Sequence, residues 1–441
     1  MSGLSIALTG FLAMLALIAI RMPVGLSMLV VGAIGYVAVH PSGPMAFFSY
    51  MKTNPYYQFA NYTLSVIPLF ILMGAFAERA GLSTALFRAG SAFIGHLRGG
   101  LAMAVIAACT GFGAICGSSV ATTATFARAA LPELKAYRYE PSLATGTIAV
   151  GGTLGILIPP SVILVVYAIT TEQNIAKLFM AAFVPGILAA IFYCVVIGLV
   201  VRRNPALAPP HARATGTEKI AAIRAVWPVL LVALVVVGGI YGGVFTPTEG
   251  AAVGAIAMFV VGVAHGRLGL AEVKESLIQT AETSGMIFII ILGSEIFDAF
   301  LALSQLPTNA AEWVTGLGLA PYAVIAVLLV FYILLGAVMD ELAMILLTLP
   351  VFFPIVSALD FGMPSDEVAI WFGILVLIVV GIGLTAPPIG LNVFVVSAIA
   401  REVPIAQIYR GVLPFVAADI VRLAICVAFP GLSLVLVRWL T

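Results

Sequence analysis

Apolar runs long enough to cross a bilayer follow one another along most of this chain, at about residues 4–20, 23–40, 58–78, 142–170, 178–201, 226–244, 248–265, 277–300, 367–400 and 411–437. About twenty apolar residues in a helix span the hydrocarbon core. Two further apolar stretches, 99–134 and 319–358, carry Gly, Ser and Asp near their midpoints and predict re-entrant helical hairpins that do not cross. Two of the spans are interrupted, one by Gly155-Ile156-Leu157-Ile158-Pro159-Pro160-Ser161 and the other by Gly383-Leu384-Thr385-Ala386-Pro387-Pro388-Ile389. Paired prolines remove backbone donors and clash with the preceding turn, so the helix must break there. In hydrocarbon the freed groups persist only where protein or a water-filled cavity satisfies them. Interrupted spans in matching halves of a chain point to the binding site of a transporter.

Charge placement gives the two halves opposite orientations. Lysine and arginine near span ends mark the cytoplasmic side. Arg79, Arg88 and Arg98 precede the first hairpin and Lys135 and Arg138 follow it, so both its feet read as cytoplasmic. The basic loop with Arg202, Arg203, Arg213, Lys219 and Arg224 belongs on the same side. From Glu275 to Ala400 there is neither lysine nor arginine, and Glu312, Asp360, Asp366 and Glu367 flank the second hairpin, whose feet read as external. The expected fold is therefore an all-α polytopic membrane protein with an inverted-topology repeat, two re-entrant hairpins and two broken transmembrane helices. Residues 1–201 form the first repeat, with scaffold spans at about 1–98 and a hairpin and broken helix at about 99–170. Residues 202–225 are a cytoplasmic basic linker. The second repeat is 226–441, with scaffold spans at about 226–318 and a hairpin and broken helix at about 319–400.

Composition sharpens this. With 62% hydrophobic and 9% charged residues in 441, the solvent of this chain is largely lipid. A net charge of +1 and the absence of a basic cluster leave no case for a nucleic-acid partner. Cys109, Cys116, Cys194 and Cys426 lie in apolar segments without metal-ligand spacing, so neither a disulfide framework nor a zinc site is expected. No HExxH, GxSxG, P-loop or spaced nucleophilic set occurs, so the chain reads as a non-enzyme driven by an ion gradient instead of ATP. The first 25 residues lack a basic leader and read as a retained span, not a signal peptide.

The candidate chemistry sits at the turns. Cys116 to Thr125, at the tip of the first hairpin, clusters Ser118, Ser119, Thr122 and Thr123 beside a turn whose carbonyls are exposed. Such hard, uncharged oxygens suit Na⁺; hydroxyls that merely hydrogen-bond helices together are the bland alternative. Facing the break at Gly155–Pro160, the cation reading is preferred. The Gly151–Gly155 run reads as an unwound, carbonyl-presenting turn beside that break, preferred over close helix packing of the small-xxx-small kind, and Gly381, Gly383 and Thr385 stand in the same relation to the second. Asp340-Glu341, at the tip of the second hairpin, either ligates a cation or steadies the turn, with Asp340 the preferred candidate. Asn392, just beyond Pro388, meets substrate or caps a neighbouring helix. Half-helices beginning at Pro160 and Pro388 aim positive N-termini at the centre, which favours an anionic substrate. Candidate substrate contacts are Ser119, Thr122, Asp340 and Asn392. Arg128 is the nearest guanidinium but faces the cytoplasmic foot of its hairpin. Asp419 and Arg422, three apart, are expected to pair. Glu249 in the Thr246-Pro247-Thr248-Glu249-Gly250 turn reads as structural, and Glu295 and Asp298 as solvated or subunit-facing.

The runs GFGAICGSSVATTATFARAALPEL (111–134), GGTLGILIPPS (151–161), TPTEG (246–250) and GLTAPPIGLN (383–392), in this order over essentially the whole chain, resemble the large, DctM-like membrane subunit of tripartite ATP-independent periplasmic (TRAP) transporters. The resemblance implies the translocating part of a Na⁺-coupled secondary importer in the bacterial inner membrane, similar to elevator-type ion transporters. It implies two partners: a small four-helix membrane subunit, expected here as a separate polypeptide, and a soluble periplasmic substrate-binding protein. It places one cation site at Ser118, Ser119, Gly152 and Gly155. The other falls at Gly381, Gly383 and Thr385 with the second hairpin tip near Gly336. Pro159, Pro160, Pro387 and Pro388 shape the turns without ligating, and Na⁺ is the coupling ion with no other cofactor. Family substrates are mostly carboxylates such as C4-dicarboxylates and sialic acids. The rival reading is a stand-alone ion-coupled carboxylate transporter needing no binding protein.

Overall fold

The computed structural model describes residues 3–440; Met1, Ser2 and Thr441, at the outer ends of the two expected repeats, lie outside the described residues. Among the described residues every regular element is helical. The chain opens with α1 (Gly3–Ala19), α2 (Val24–Val39), α3 (Gly43–Phe59), α4 (Val66–Arg79) and α5 (Leu82–Ile94). A hairpin of α6 (Gly100–Cys116) and α7 (Ser119–Ala136) follows, then α8 (Pro141–Leu157) and α9 (Val162–Thr170), bent by 44° at their junction, and the long α10 (Ile175–Arg203). After the linker come α11 (Gly216–Tyr241), α12 (Pro247–Ala264), α13 (Leu270–Leu303) and α14 (Leu306–Gly316). The same order then recurs: a hairpin of α15 (Pro321–Gly336) and α16 (Glu341–Ser357), a broken pair α17 (Ser365–Gly383) and α18 (Leu391–Ile399), then α19 (Ile405–Ala428) and α20 (Gly431–Leu440). Seven helical segments are long and apolar enough to cross a membrane, and the bent α8–α9 pair makes an eighth. Both hairpins and both breaks lie where the apolar pattern puts them.

Burial separates an inner set from an outer one. Every residue of α8 from Leu143 to Leu157 and of α17 from Val368 to Gly383 is buried, so these helices, apolar all round, form the centre. Around them pack α6, α7, α10, α18 and α19. Against this block stand α2 on α13 and α4 on both α12 and α13. By contrast only 22% of the apolar window of α11 is buried, and Leu230, Leu231 and Leu234 are exposed, as a lipid-facing helix requires.

Three helices, α3, α5 and α14, escaped the apolar-run reading. α3 has no buried residue and exposes Met45, Phe48, Tyr56 and Tyr57, a composition suited to the membrane interface. The last expected span, 411–437, divides into α19 and α20, because Phe429, preceding Pro430, is forced out of helical geometry (φ −127°, ψ 74°). The expected linker is also shorter. α11 starts at Gly216 behind a capping box in which the Thr215 hydroxyl accepts from Glu218 N and the Glu218 carboxylate accepts from Thr215 N. Thr246 and Glu249 form the same box at α12, which makes Glu249 structural. Asp419 and Arg422 do pair, at 2.8 Å and fully buried; Tyr193 Oη donates to Asp419 (2.6 Å) and Arg422 to Pro185 O (3.2 Å). Glu295 is not left to solvent: it accepts from Asn54 Nδ2 (2.6 Å), which ties α3 to α13.

Candidate functional site

The first hairpin turns because Gly117 adopts φ +63°, a left-handed conformation that closes α6 and would strain any other residue. Ser118 then caps α7, its hydroxyl accepting from Ala121 N (3.4 Å). The tip is pressed onto α8 through glycine. A Cβ on Gly155 would lie 2.6 Å from Thr122 Oγ1 and 2.7 Å from Ser118 O, and one on Gly152 would lie 3.0 Å from Ser119 O. Ser118, Ser119, Gly152 and Gly155 are thus brought together, with carbonyl and hydroxyl oxygens at one junction. Two hydroxyls there, Thr123 Oγ1 and Ser161 Oγ, are buried without a hydrogen-bond partner. An orphaned buried hydroxyl is costly, and a hard cation among these oxygens is the kind of ligand that relieves it.

The second hairpin mirrors this contact. A Cβ on Gly383 would lie 2.6 Å from Gly336 C and 2.7 Å from its Cα, so the tip and the broken helix touch backbone to backbone. Ile389 N donates to Ala337 O (3.2 Å), which binds the loop of the break to the same tip. Thr385 Oγ1 turns back onto Gly381 O (3.2 Å) and Ile382 O (3.1 Å). Gly381 faces elsewhere, toward Thr153 of α8. The peptide bond within each proline pair, 159–160 and 387–388, is cis.

The two tips meet through side chains. Ser119 Oγ lies 3.1 Å from Glu341 Oε2 and 3.2 Å from Asn392 Oδ1, while Asn392 Nδ2 donates to Ala149 O (3.1 Å). Asn392 therefore braces α18 against α7 and α8. Asp340 steadies its turn: Oδ1 accepts from Leu342 N and Ala343 N, an N-cap for α16. Its neighbour Glu341, named with it from the sequence, faces the first hairpin instead, accepting from Ser119 Oγ.

A cavity of about 540 Å³ opens between the tips and the outer helices, within the size range of small-molecule sites. Its walls include Ser118 and Ala121 of the first hairpin, Val162 of α9, Asp340 and Glu341 of the second hairpin, Glu78 of α4, and Gln279 and Thr283 of α13. Arg128 lines it too, 2.9 Å from Glu78, which also accepts from Thr125 Oγ1 (3.1 Å). Of the four candidate substrate contacts, Asp340 is on the cavity wall, while Ser119, Thr122 and Asn392 lie behind it, fully buried at the tip–break junction. The contributions of Glu78, Gln279 and Thr283 come from helices distant in sequence and carried no local signal.

An all-helical membrane fold with two hairpin tips and two broken helices around one substrate-sized cavity defines a multi-pass transporter. The structural neighbours agree on that fold: the YdaH transporter of Alcanivorax borkumensis (TM-score 0.59, 14% identity, 92% of this chain and 96% of that one) and MtrF of Neisseria gonorrhoeae (TM-score 0.54, 14% identity, 88% and 84%). The family is more specific, because residues 11–432 match the model of the tripartite ATP-independent periplasmic transporter, DctM component, and the chain belongs to that family. It is 39% identical over 382 residues to the C4-dicarboxylate TRAP transporter large permease protein DctM of Pseudomonas aeruginosa, covering 86% of this chain and 87% of that protein. The sialic acid large permease SiaM of Vibrio cholerae is 28% identical over 96% of both chains. The isethionate permease protein DctMQ of Oleidesulfovibrio alaskensis is 29% identical over 97% of this chain but only 65% of its own length. The chain is thus a TRAP large permease, a multi-pass protein of the inner membrane.

Proposed function

We propose that this permease carries organic acids, of the C4-dicarboxylate or sialic acid kind, inward with Na⁺ by an elevator motion. Its partners on this reading are a separate small membrane subunit and a periplasmic binding protein that delivers the substrate. The relatives' names support the substrate class, and the fused DctMQ relative supports a partnership with a second membrane component. The moving block would be the two hairpins and two broken helices, one set from each of two inverted repeats. The scaffold would include α2, α4, α12 and α13, divided from the block by the cavity. The cytoplasmic linker joins the repeats.

The observation that carries the proposal is the matched pair of backbone contacts, Gly155 on Ser118 and Gly383 on Gly336. Each packs a hairpin tip against a helix break closely enough to set a tip carbonyl, Ser118 O or Gly336 O, against the glycine. Na⁺ would be held by Ser118, Ser119, Gly152 and Gly155 on one side and by Gly336, Gly381, Gly383 and Thr385 on the other. Bound there, the ion supplies positive charge beside the substrate's carboxylate. Ser119 would serve both ion and tip closure, because it touches Glu341 and Asn392. Cation and substrate can move the block only by binding one arrangement more tightly than the other.

The test follows melting of purified protein as NaCl replaces KCl at constant ionic strength. A Na⁺-specific rise, weakened separately by Ser119→Ala and Thr385→Ala, is the expected result. Equal responses to Na⁺ and K⁺ would remove the cation assignment and favour coupling to another ion.

A further inference from the structure

The linker after α10 is pinned at both flanks. His211 N donates to Gly95 O (3.1 Å), at the end of α5, and the His211 ring lies 2.6 Å from Tyr137 Oη, at the foot of the first hairpin. Glu140 N, at the head of α8, donates to Leu207 O (2.9 Å). Held this way, residues 211–215 roof a second cavity of about 710 Å³, bounded by α5, the start of α11 and the end of α12. Arg88, Arg213 and Arg267 line it from three different elements. Its one carboxylate, Glu218, is already engaged as acceptor for Thr215 N (2.7 Å). Among the described residues none of the three arginines has an ion-pair partner. Between them the lining is rich in alanine, from half-buried Ala85 and Ala92 on one side to exposed Ala221 and Ala225 on the other, with Thr84 and Ser91 among them.

Three exposed guanidiniums that share one cavity and have no ion-pair partner form a basic rim, and their planar forks match phosphate oxygens. An alanine-rich lining beside a basic rim, at the ends of spans on the side the charge pattern makes cytoplasmic, matches the surroundings of an anionic lipid headgroup. We propose that this cavity binds a phosphoryl group, supplied by an anionic phospholipid. Because the roof is tied both to α5 and to the hairpin foot, occupancy braces the linker against both.

The test compares retention of phosphatidylglycerol and phosphatidylcholine on the purified protein by native mass spectrometry. Variants are Arg213→Ala, in the linker and outside any helix, and Arg88→Ala/Arg267→Ala. The control is Arg202→Ala/Arg203→Ala, which removes from the end of α10 the same charge as the double cavity variant. Each cavity arginine removed lowers the phosphatidylglycerol preference about fivefold, as expected for one cation near an anionic surface, and the control leaves it unchanged. A parallel titration with inorganic phosphate against chloride at matched ionic strength follows melting. Stabilisation of the wild type but not of the arginine variants, without lipid preference, supports the phosphate site and assigns it to a soluble phosphate compound. Wild-type lipid preference in the cavity variants, an equal loss in the control, or no response to either probe overturns the proposal.

Discussion

Two glycines of α17, two residues apart and so on opposite faces of the helix, test whether the backbone contact at the second hairpin positions the coupling ion. A methyl at Gly383 would lie 2.6 Å from Gly336 C and 2.7 Å from Gly336 Cα. Carbon atoms ordinarily rest at about 3.5–4.0 Å, so Gly383→Ala must part the tip from the broken helix by about 1 Å. Both obstructing atoms are backbone and cannot rotate away. Overpacking of this kind costs about 1–3 kcal/mol. If the cation depends on that contact, the cost appears as a five- to hundredfold rise, roughly, in the Na⁺ concentration needed for half-maximal stabilisation. A methyl at Gly381 meets Thr153 Cβ at 3.6 Å, an ordinary contact, and alanine gains up to about 1 kcal/mol in helix propensity. Gly381→Ala should therefore leave the Na⁺ midpoint within about twofold and raise the melting temperature if it changes it at all. Both variants keep their carbonyls, so the comparison isolates the contact. Equal midpoints for the two, or a Gly383→Ala protein that binds Na⁺ like the wild type, would refute the argument.

Two other perturbations follow from pairs far apart in sequence. Arg422→Leu strands Asp419 in the interior with only Tyr193 to hold it, so denaturant titration should show a loss of about 3–5 kcal/mol, and Asp419→Leu/Arg422→Leu should recover most of it. A double variant no more stable than the single one would mean that the pair is needed for packing and not merely for mutual neutralisation. Arg128 is more than half exposed, so Arg128→Gln should cost no more than about 1 kcal/mol in stability. Because its partner Glu78 stands on α4, across the cavity, losing the pair should raise the initial transport rate up to about fivefold if the block moves past the scaffold. A large stability loss with an unchanged rate would make the pair a fixed structural tie.

The hairpins and the breaks were legible because their causes are local. Pro159-Pro160 and Pro387-Pro388 must interrupt a helix whatever surrounds them, and Gly117 and Asp340 mark turns by their own backbone and capping chemistry. α3, α5 and α14 were not legible, since each is short or carries polar residues that interrupt the apolar run. The site was legible in part. The glycines of Gly151–Gly155 read as freedom for an unwound turn, yet α8 remains helical to Leu157 and Gly152 and Gly155 instead give room for the hairpin tip. That use depends on a partner some thirty residues away. Likewise Asp340 and Glu341 are adjacent acids with opposite roles, and only the start of α16 decides which one caps and which one faces Ser119.

The charge of the cavity gives the proposed coupling a physical reason. Three acidic side chains, Glu78, Asp340 and Glu341, share its wall with one guanidinium, Arg128, and that guanidinium is already bound to Glu78. A dicarboxylate entering alone would bring more negative charge to a wall that has no free cation to receive it. In a partly desolvated site such repulsion amounts to several kcal/mol. Helix N-termini at the breaks offset part of it, each by at most about 1–2 kcal/mol. Cations at the two glycine-lined junctions would offset the remainder, and they would do so only when both tips are closed, because each junction is built from a tip and a break together. On this reading, a closed block carrying substrate without cations is electrostatically disfavoured. On the proposed coupling, the acidic wall that looks unsuited to an organic acid would make entry of the acid depend on the cations.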